Sequence, residues 1–144
     1  MSTQQFHQHI TCISIGVADL ARSREFFHTL GWKEQDTPHA DAIAFFNMGG
    51  ITMALYPAPL LLEDAGIPLA KPAAGGITIS HNVHSEKEVD DLLRLAEQAG
   101  GRILSPAVQK PWGYTGYFAD IDGTPWEVAF VPSLQLSESG QIQW

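Results

Sequence analysis

The order of secondary-structure signals in the first half of the chain recurs in the second half. Each half has a β-branched strand pattern, an amphipathic helix pattern and three short extended runs, the last two joined by a glycine-containing turn. The first copy covers about residues 9–57 and the second about residues 76–132. The sequence therefore predicts an α+β fold of two βαβββ modules, whose mixed sheet curves around a concave cleft.

Strand and helix signals adjoin at the start of each copy. In the strand pattern of residues 10–17, Ile13, Ile15 and Val17 share one parity and Ile10, Cys12 and Ser14 the other, and Asp19 is placed to cap the helix that follows. In the second copy Ser85 and Glu88 have capping-box spacing ahead of a regular apolar stripe that ends at Gly100. One face of each first strand is thus expected to pack on its helix, and the other face to point away from it.

The remaining segments complete one domain of residues 1–144. Residues 58–75, rich in Pro, Ala and Leu, form a linker with a short helix expected near residues 61–65. Residues 133–144 form a polar tail that is expected to lie on the surface as a strap.

Composition excludes several function classes. Eight Lys and Arg against 16 Asp and Glu give a net charge of −8, which disfavours a nucleic-acid partner. No apolar run approaches the ~20 residues of a membrane-spanning helix. Residues 1–9 are polar and lack the apolar stretch of a signal peptide, so we expect a cytoplasmic protein. The single cysteine excludes an internal disulfide.

The repeat also pairs individual positions between the two copies. Counting five residues back from the end of each first strand gives Cys12 and Thr78. Counting four residues on from the glycine of each last hairpin gives Ala54 and Glu127. If the modules pair about a pseudo-twofold axis, these four positions converge on the concave side.

Several motifs resemble those of one known group of proteins. They are IGVADLARSREFF at 15–27, LGW at 30–32, SHNV at 80–83 and WGYTGYFADIDGTPWEVAF at 112–130. With them the chain, from about residue 10 to 132, resembles the vicinal oxygen chelate superfamily. That superfamily includes glyoxalase I, bleomycin-resistance proteins, fosfomycin-resistance enzymes, epimerases and extradiol dioxygenases. The GYxGYFAD run is most similar to a glyoxalase-like subgroup.

The resemblance implies where a metal ion would bind in members that use one. Their ligands, typically His, Gln or Glu, occupy the positions of Cys12, Ala54, Thr78 and Glu127. Only Glu127 is a usual ligand for a divalent transition metal, and Ala54 has no donor atom. We therefore expect no metal and no cofactor, because a divalent ion would have to rely on three non-standard positions.

Histidines do not replace the missing ligands in this pattern. His7 and His9 have the parity of the helix-packing face, if the strand reaches back that far. His81 has the parity of Val83 and faces the second helix, so we expect a buried, hydrogen-bonded histidine rather than a ligand.

The concave face retains the features of a small-molecule pocket. Short polar side chains and a Gly-rich aromatic stretch would line it: Ser14, Thr78, Ser80, Asn82, Trp112, Tyr114 and Tyr117. For Tyr114 and Tyr117 the alternative is that they fill the cavity of the sheet. Cys12 is either a pocket thiol or a small buried hydrophobe.

Two functions remain open at this point. The first is a protein that binds a small molecule in a metal-free cleft, and the resemblance implies a homodimer. The second is a lyase, isomerase or dioxygenase that acts on a small oxygenated or thiol-conjugated substrate. In that case Glu127 serves as acid, base or metal ligand, whereas its alternative role is that of a structural carboxylate.

Overall fold

Seven strands and three helices follow the repeated order within residues 7–65 and 77–143, which the computed structural model describes. The elements of the first module are β1 (Cys12–Val17), α1 (Leu20–Thr29), β2 (Ala44–Asn47), β3 (Thr52–Pro57) and α2 (Ala58–Ala65). Those of the second are β4 (Ile79–Asn82), α3 (Glu86–Gln98), β5 (Arg102–Lys110), β6 (Gly113–Ala119) and β7 (Pro125–Phe130). The predicted α+β class is confirmed.

The strands form two mixed sheets. The N-terminal sheet has the order β1-β3-β2 and the C-terminal sheet the order β4-β7-β6-β5. In each sheet the first strand pairs in parallel with the last, and the other pairs are antiparallel. The first of the three extended runs expected in the first copy is not a regular strand: among the described residues it forms one bridge, between Glu34 and Phe46, before the chain turns through residues 38–42.

Local side-chain chemistry starts the two main helices where the sequence predicts. The Asp19 carboxylate accepts a hydrogen bond of 3.2 Å from the Arg22 backbone N–H at the start of α1. The Ser85 hydroxyl accepts one of 3.1 Å from the Glu88 N–H at the start of α3. Both interactions satisfy backbone donors of a first helical turn, so both predicted caps are confirmed.

The helix-covered faces of the two sheets share one hydrophobic core. Phe27 of α1 contacts Phe46 of the N-terminal sheet and Trp126 of the C-terminal sheet, each at a centroid distance of 5.8 Å. The neighbouring Phe26 lies 6.3 Å from Phe118 of β6. Because α1 packs on both sheets, the opposite side of each sheet lies outside this core. We call that side the open face.

A polar link joins the modules at the start of α1. One carboxylate oxygen of Asp122 accepts a hydrogen bond of 2.8 Å from the Ala18 N–H, and the other accepts one from the Ser23 hydroxyl. Ser23 is fully buried. The second module thus holds the first turn of the helix in the first module.

The tail lies across both modules. Leu136 and Ile142 form an antiparallel bridge, which makes a short hairpin. The Gln141 side chain donates to the Gly49 carbonyl at 2.7 Å, and the His84 ring lies 2.9 Å from the Ser137 carbonyl. In the described part of the chain, no helix is long and apolar enough to cross a membrane.

Candidate functional site

Glu127 is the centre of a hydrogen-bonded group on the open face of the C-terminal sheet. Its Oε1 accepts from the Ser80 hydroxyl at 2.9 Å, and its Oε2 accepts from the Tyr117 hydroxyl at 2.9 Å. The Thr115 hydroxyl lies 3.4 Å from Oε2, but its single hydrogen has a closer acceptor in the Val128 carbonyl at 3.1 Å. We call these four residues the Glu127 cluster. The register explains it, because Ser80 and Tyr117 flank Glu127 on the neighbouring strands β4 and β6.

The Glu127 cluster has capacity for a further partner. An ionised carboxylate offers about four lone-pair sites, and the Ser80 and Tyr117 hydroxyls occupy two of them. The hydrogen bond to Glu127, with burial as the next cause, raises the pKa of Tyr117 above its ordinary value. Tyr117 therefore stays protonated and donates to the carboxylate, which can accept a further donor.

The open face of the N-terminal sheet carries the other half of the predicted site. The Cys12 Sγ lies 3.8 Å from the Ser14 hydroxyl, and both residues are exposed. Ala54 lies beside Ser14 in the register of β1 and β3. Helix α2 covers one end of this face, since a Cβ placed on Gly16 would lie 3.2 Å from the Ala58 Cα.

Within one chain the four repeat-related positions divide between the two sheets. Cys12 and Ala54 belong to the N-terminal sheet, whereas Thr78 directly precedes β4 and Glu127 lies on β7 of the C-terminal sheet. No strand pairing joins the two sheets among the described residues. The reason is the position of α1, which brings the helix-covered faces together and leaves each open face outside the common core.

The aromatic stretch before Glu127 is a regular strand rather than a loop. Side chains alternate along β6, so Tyr117 reaches Glu127 while the Tyr114 hydroxyl donates to Asp90 of α3 at 2.7 Å on the opposite side. The structure therefore does not bring Tyr114 to the Glu127 cluster. Trp112 lies in the turn before β6 with 46% of its surface exposed, and Asn82 ends β4 half-buried.

His81 lies on the helix side of β4, as its parity predicts. It is half-buried and stacks on Trp32 at a centroid distance of 5.6 Å and an interplanar angle of 26°. No hydrogen bond to its ring forms among the described residues, so its hydrogen bonding stays a prediction. Burial lowers the pKa of His81, and the negative charge of Glu88 opposes this effect.

A cavity of about 1000 Å³ lies between the modules on the helix side of the sheets. We call it the inter-module cavity. Its lining includes Trp32, Phe46, Met53, His81, Leu92 and Trp126. Sequence reasoning missed this cavity. The only signals were Trp32 in the LGW motif and the polar tail, whose residues Glu138 to Gln141 cover one side.

No metal-ligating group is evident in a single chain. Across residues 7–65 and 77–143, no three His, Cys, Asp or Glu side chains come together as a group that could hold an ion. His7 and His9 precede β1 and are exposed. In one chain, the carboxylate of Glu127 is therefore not part of a set of strong metal donors.

Comparison with known proteins identifies relatives of this fold. The model of the Glyoxalase/Bleomycin resistance protein/Dioxygenase superfamily matches residues 8–128. A glyoxalase-related enzyme from Fulvimarina pelagi is 33% identical over 96% of this chain and 99% of its own, with a TM-score of 0.85. A glyoxalase/bleomycin resistance protein/dioxygenase from Nocardioides is 26% identical over 93% of each chain, with a TM-score of 0.70.

More distant similarity concerns the fold alone. Lactoylglutathione lyase from Agrobacterium tumefaciens is 19% identical over 88% of this chain and 96% of its own, with a TM-score of 0.62. No match was found among curated proteins.

Proposed function

Because this chain belongs to the glyoxalase/bleomycin resistance protein/dioxygenase superfamily, we propose that it binds a small organic molecule at the Glu127 cluster without a metal ion. One observation carries the proposal: the hydroxyls of Ser80 and Tyr117, each at 2.9 Å, already hold the Glu127 carboxylate in place. The remaining lone pair on Oε1 suits a ligand hydroxyl or amine that donates a hydrogen bond.

The donor set does not fit the metal site that the superfamily implies. At the four corresponding positions the chain has a thiol, a methyl, a hydroxyl and the hydrogen-bonded carboxylate, in Cys12, Ala54, Thr78 and Glu127. A catalytic divalent ion is usually held by about three strong protein ligands. These residues supply at most two, so we assign no step of binding or chemistry to a metal.

A second copy of the chain completes the proposed cleft. Small-molecule sites bury most of a ligand's surface, roughly 70–90%. One flat sheet face cannot do so, and in a single chain Cys12 and Ser14 belong to a different sheet from Glu127. In a homodimer related by a twofold axis, the N-terminal sheet of one copy faces the C-terminal sheet of the other and closes two equivalent clefts.

Ligand screening tests the metal-free part of the proposal. Thermal-shift assays would compare small hydroxyl- and amine-bearing compounds with and without added Ni²⁺, Zn²⁺ and Mn²⁺. For a compound that binds, Glu127→Gln should weaken binding about tenfold, since it removes the charge-assisted character of the hydrogen bond to the ligand. Tyr117→Phe removes only the hydrogen bond that holds the carboxylate, so it should have the smaller effect. Glu97→Gln, on the exposed side of α3, is the matched control. One tightly bound divalent ion per chain that is lost in Glu127→Gln would overturn the proposal.

Complementation between variants tests the shared cleft. Ser14→Trp blocks the face of one sheet and Glu127→Gln weakens binding at the other about tenfold, so at a ligand concentration near the wild-type Kd neither homodimer should bind appreciably. After mixing and exchange of subunits, about a quarter of all clefts would combine two intact faces, and binding should return to that extent. If mixing restores no binding, the site lies within one chain and the homodimer proposal is wrong.

A second function is favoured by the contact between Tyr117 and Glu127. A protonated phenol 2.9 Å from a carboxylate is a suitable pair for moving a proton in a lyase or isomerase reaction. In that case Glu127→Gln should abolish turnover of an oxygenated or thiol-conjugated substrate and leave the fold intact. Unchanged turnover in this variant would eliminate the enzymatic alternative.

A further inference from the structure

Three rings of the shared core form a column that ends at the inter-module cavity. Phe27 stacks on Trp32 at a centroid distance of 5.3 Å and an angle of 14°, and Trp32 stacks on His81. No further ring contacts His81 among the described residues, and His81 lines the cavity. A flat aromatic ring in the cavity would therefore extend the column by one member.

The rest of the lining suits an apolar ring of variable shape. Phe46 and Met53, both buried, belong to the cavity wall, and Met48 lies at the adjoining hairpin. Methionine side chains are unbranched and polarizable, so they adapt to different aromatic ligands. Apolar walls with a few polar groups are the usual composition of a small-molecule site.

The carboxylates of the cavity outnumber its lysines. Glu88, Asp91 and Glu138 line it together with Lys33, and His84 also belongs to the lining. Asp91 is already paired with Lys87 and Arg94. Glu88 accepts a hydrogen bond of 2.7 Å from the His84 N–H and lies 3.9 Å from the His84 ring, but neither Glu88 nor Glu138 pairs with Lys or Arg in the described part of the chain.

We propose that the inter-module cavity binds an organic cation with a flat aromatic ring, which stacks on His81 while its positive group lies near Glu88 and Glu138. Burial supports this by keeping the pKa of His81 below its ordinary value, so the neutral imidazole does not repel a cation at about pH 7. The net charge of −8 also favours the approach of cations from solution.

This site is distinct from the Glu127 cluster, although the two adjoin at β4. Ser80 lines the inter-module cavity and also donates to Glu127, whereas Glu127 itself is not part of the cavity lining. The stacking wall lies on the helix side of β4 and the Glu127 cluster on its open face. Variants can therefore separate the two sites.

A pair of dyes with the same ring system and opposite charge tests the proposal. 9-Aminoacridine is a cation at neutral pH and acridine-9-carboxylate is an anion, and both report binding by fluorescence. At low ionic strength, the full-length protein should bind the cation at least about tenfold more tightly than the anion. Equal affinity for the two dyes, or no binding of the cation, would overturn the proposal.

Variants locate the bound dye. Substituting Glu88→Gln and Glu138→Gln together should weaken 9-aminoacridine binding about tenfold, while Glu97→Gln on the same helix α3 leaves it unchanged. Equal losses in these variants would show binding to the acidic surface in general and would refute the site. In NMR spectra, the dye should shift the Trp32 indole signal and leave that of exposed Trp112 in place.

The same dye distinguishes this inference from the proposed function. Glu127→Gln should leave 9-aminoacridine binding unchanged, because Glu127 does not line the cavity. Loss of dye binding in Glu127→Gln, with full binding in the Glu88 and Glu138 variant, would place the dye on the open face. That result would overturn the inter-module site and support the proposed function.

Discussion

Replacing Asp122 tests whether the second module stabilises the first through a single carboxylate. Asp122→Ala removes the acceptor for the Ala18 N–H and for the fully buried Ser23 hydroxyl. A hydrogen bond to a charged group contributes about 1.5–3 kcal/mol. Because Asp122 is only half-buried, we take the lower end for each bond and expect a loss of about 3 kcal/mol in the free energy of unfolding.

That loss of unfolding free energy corresponds to a decrease in the melting temperature, Tm. For 144 residues, the entropy of unfolding is about 0.3 kcal/mol per kelvin, so Asp122→Ala should lower the Tm by about 10 °C. Differential scanning calorimetry measures it, and Asp36→Ala, at an exposed loop carboxylate, is the control. A double-mutant cycle with Ser23→Ala isolates the shared hydrogen bond, for which we expect about 1.5 kcal/mol of coupling. Coupling below about 0.5 kcal/mol, the usual error of additivity, would refute the reasoning.

Two further predictions concern the shared core and pH. Phe27→Ala should cost about 3–5 kcal/mol, because its buried ring contacts both sheets. Urea unfolding of this variant should remain a single transition by circular dichroism and tryptophan fluorescence, and separate transitions would contradict a shared core. Burial lowers the pKa of His81 from 6.5, so below about pH 6.5 the unfolded chain binds more protons than the folded chain. The free energy of unfolding therefore decreases as the pH is lowered. Melting curves of His81→Phe should show a weaker decrease than wild type between about pH 7 and pH 5, and parallel curves would disprove this role.

Local patterns predicted much of the fold. Alternation along β1 placed Ile15 and Val17 in the core, as the structure shows, and put Cys12 and Ser14 on the opposite face. Of the two alternatives for Cys12, the small buried hydrophobe was wrong, because the residue is exposed. These outcomes depend on neighbours a few residues apart in the chain. The features that the sequence did not predict depend instead on contacts between residues that are distant in the chain. The stack of Trp32 on His81 depends on how two modules pack, and no short pattern in either module records that.

The candidate site was predicted in part for the same reason. Repeat counting and strand parity place Ser80 and Glu127 on one face, where the structure has them in contact. Tyr114 was grouped with Tyr117 because the Gly-rich stretch resembled a loop. Once residues 113–119 are recognised as the strand β6, a separation of three residues places the two side chains on opposite faces. The division of the four repeat-related positions between the two sheets again depends on the position of α1.

The position of α1 also constrains substitutions in the two modules. Phe26 and Phe27 of the first module pack against Phe118 and Trp126 of the second. Each module alone would therefore lack part of its hydrophobic core. A fragment ending before β4 would expose these rings to water. A substitution at either ring therefore changes the packing of both modules at once, whereas the open faces carry different side chains at matching positions, such as Ala54 and Glu127.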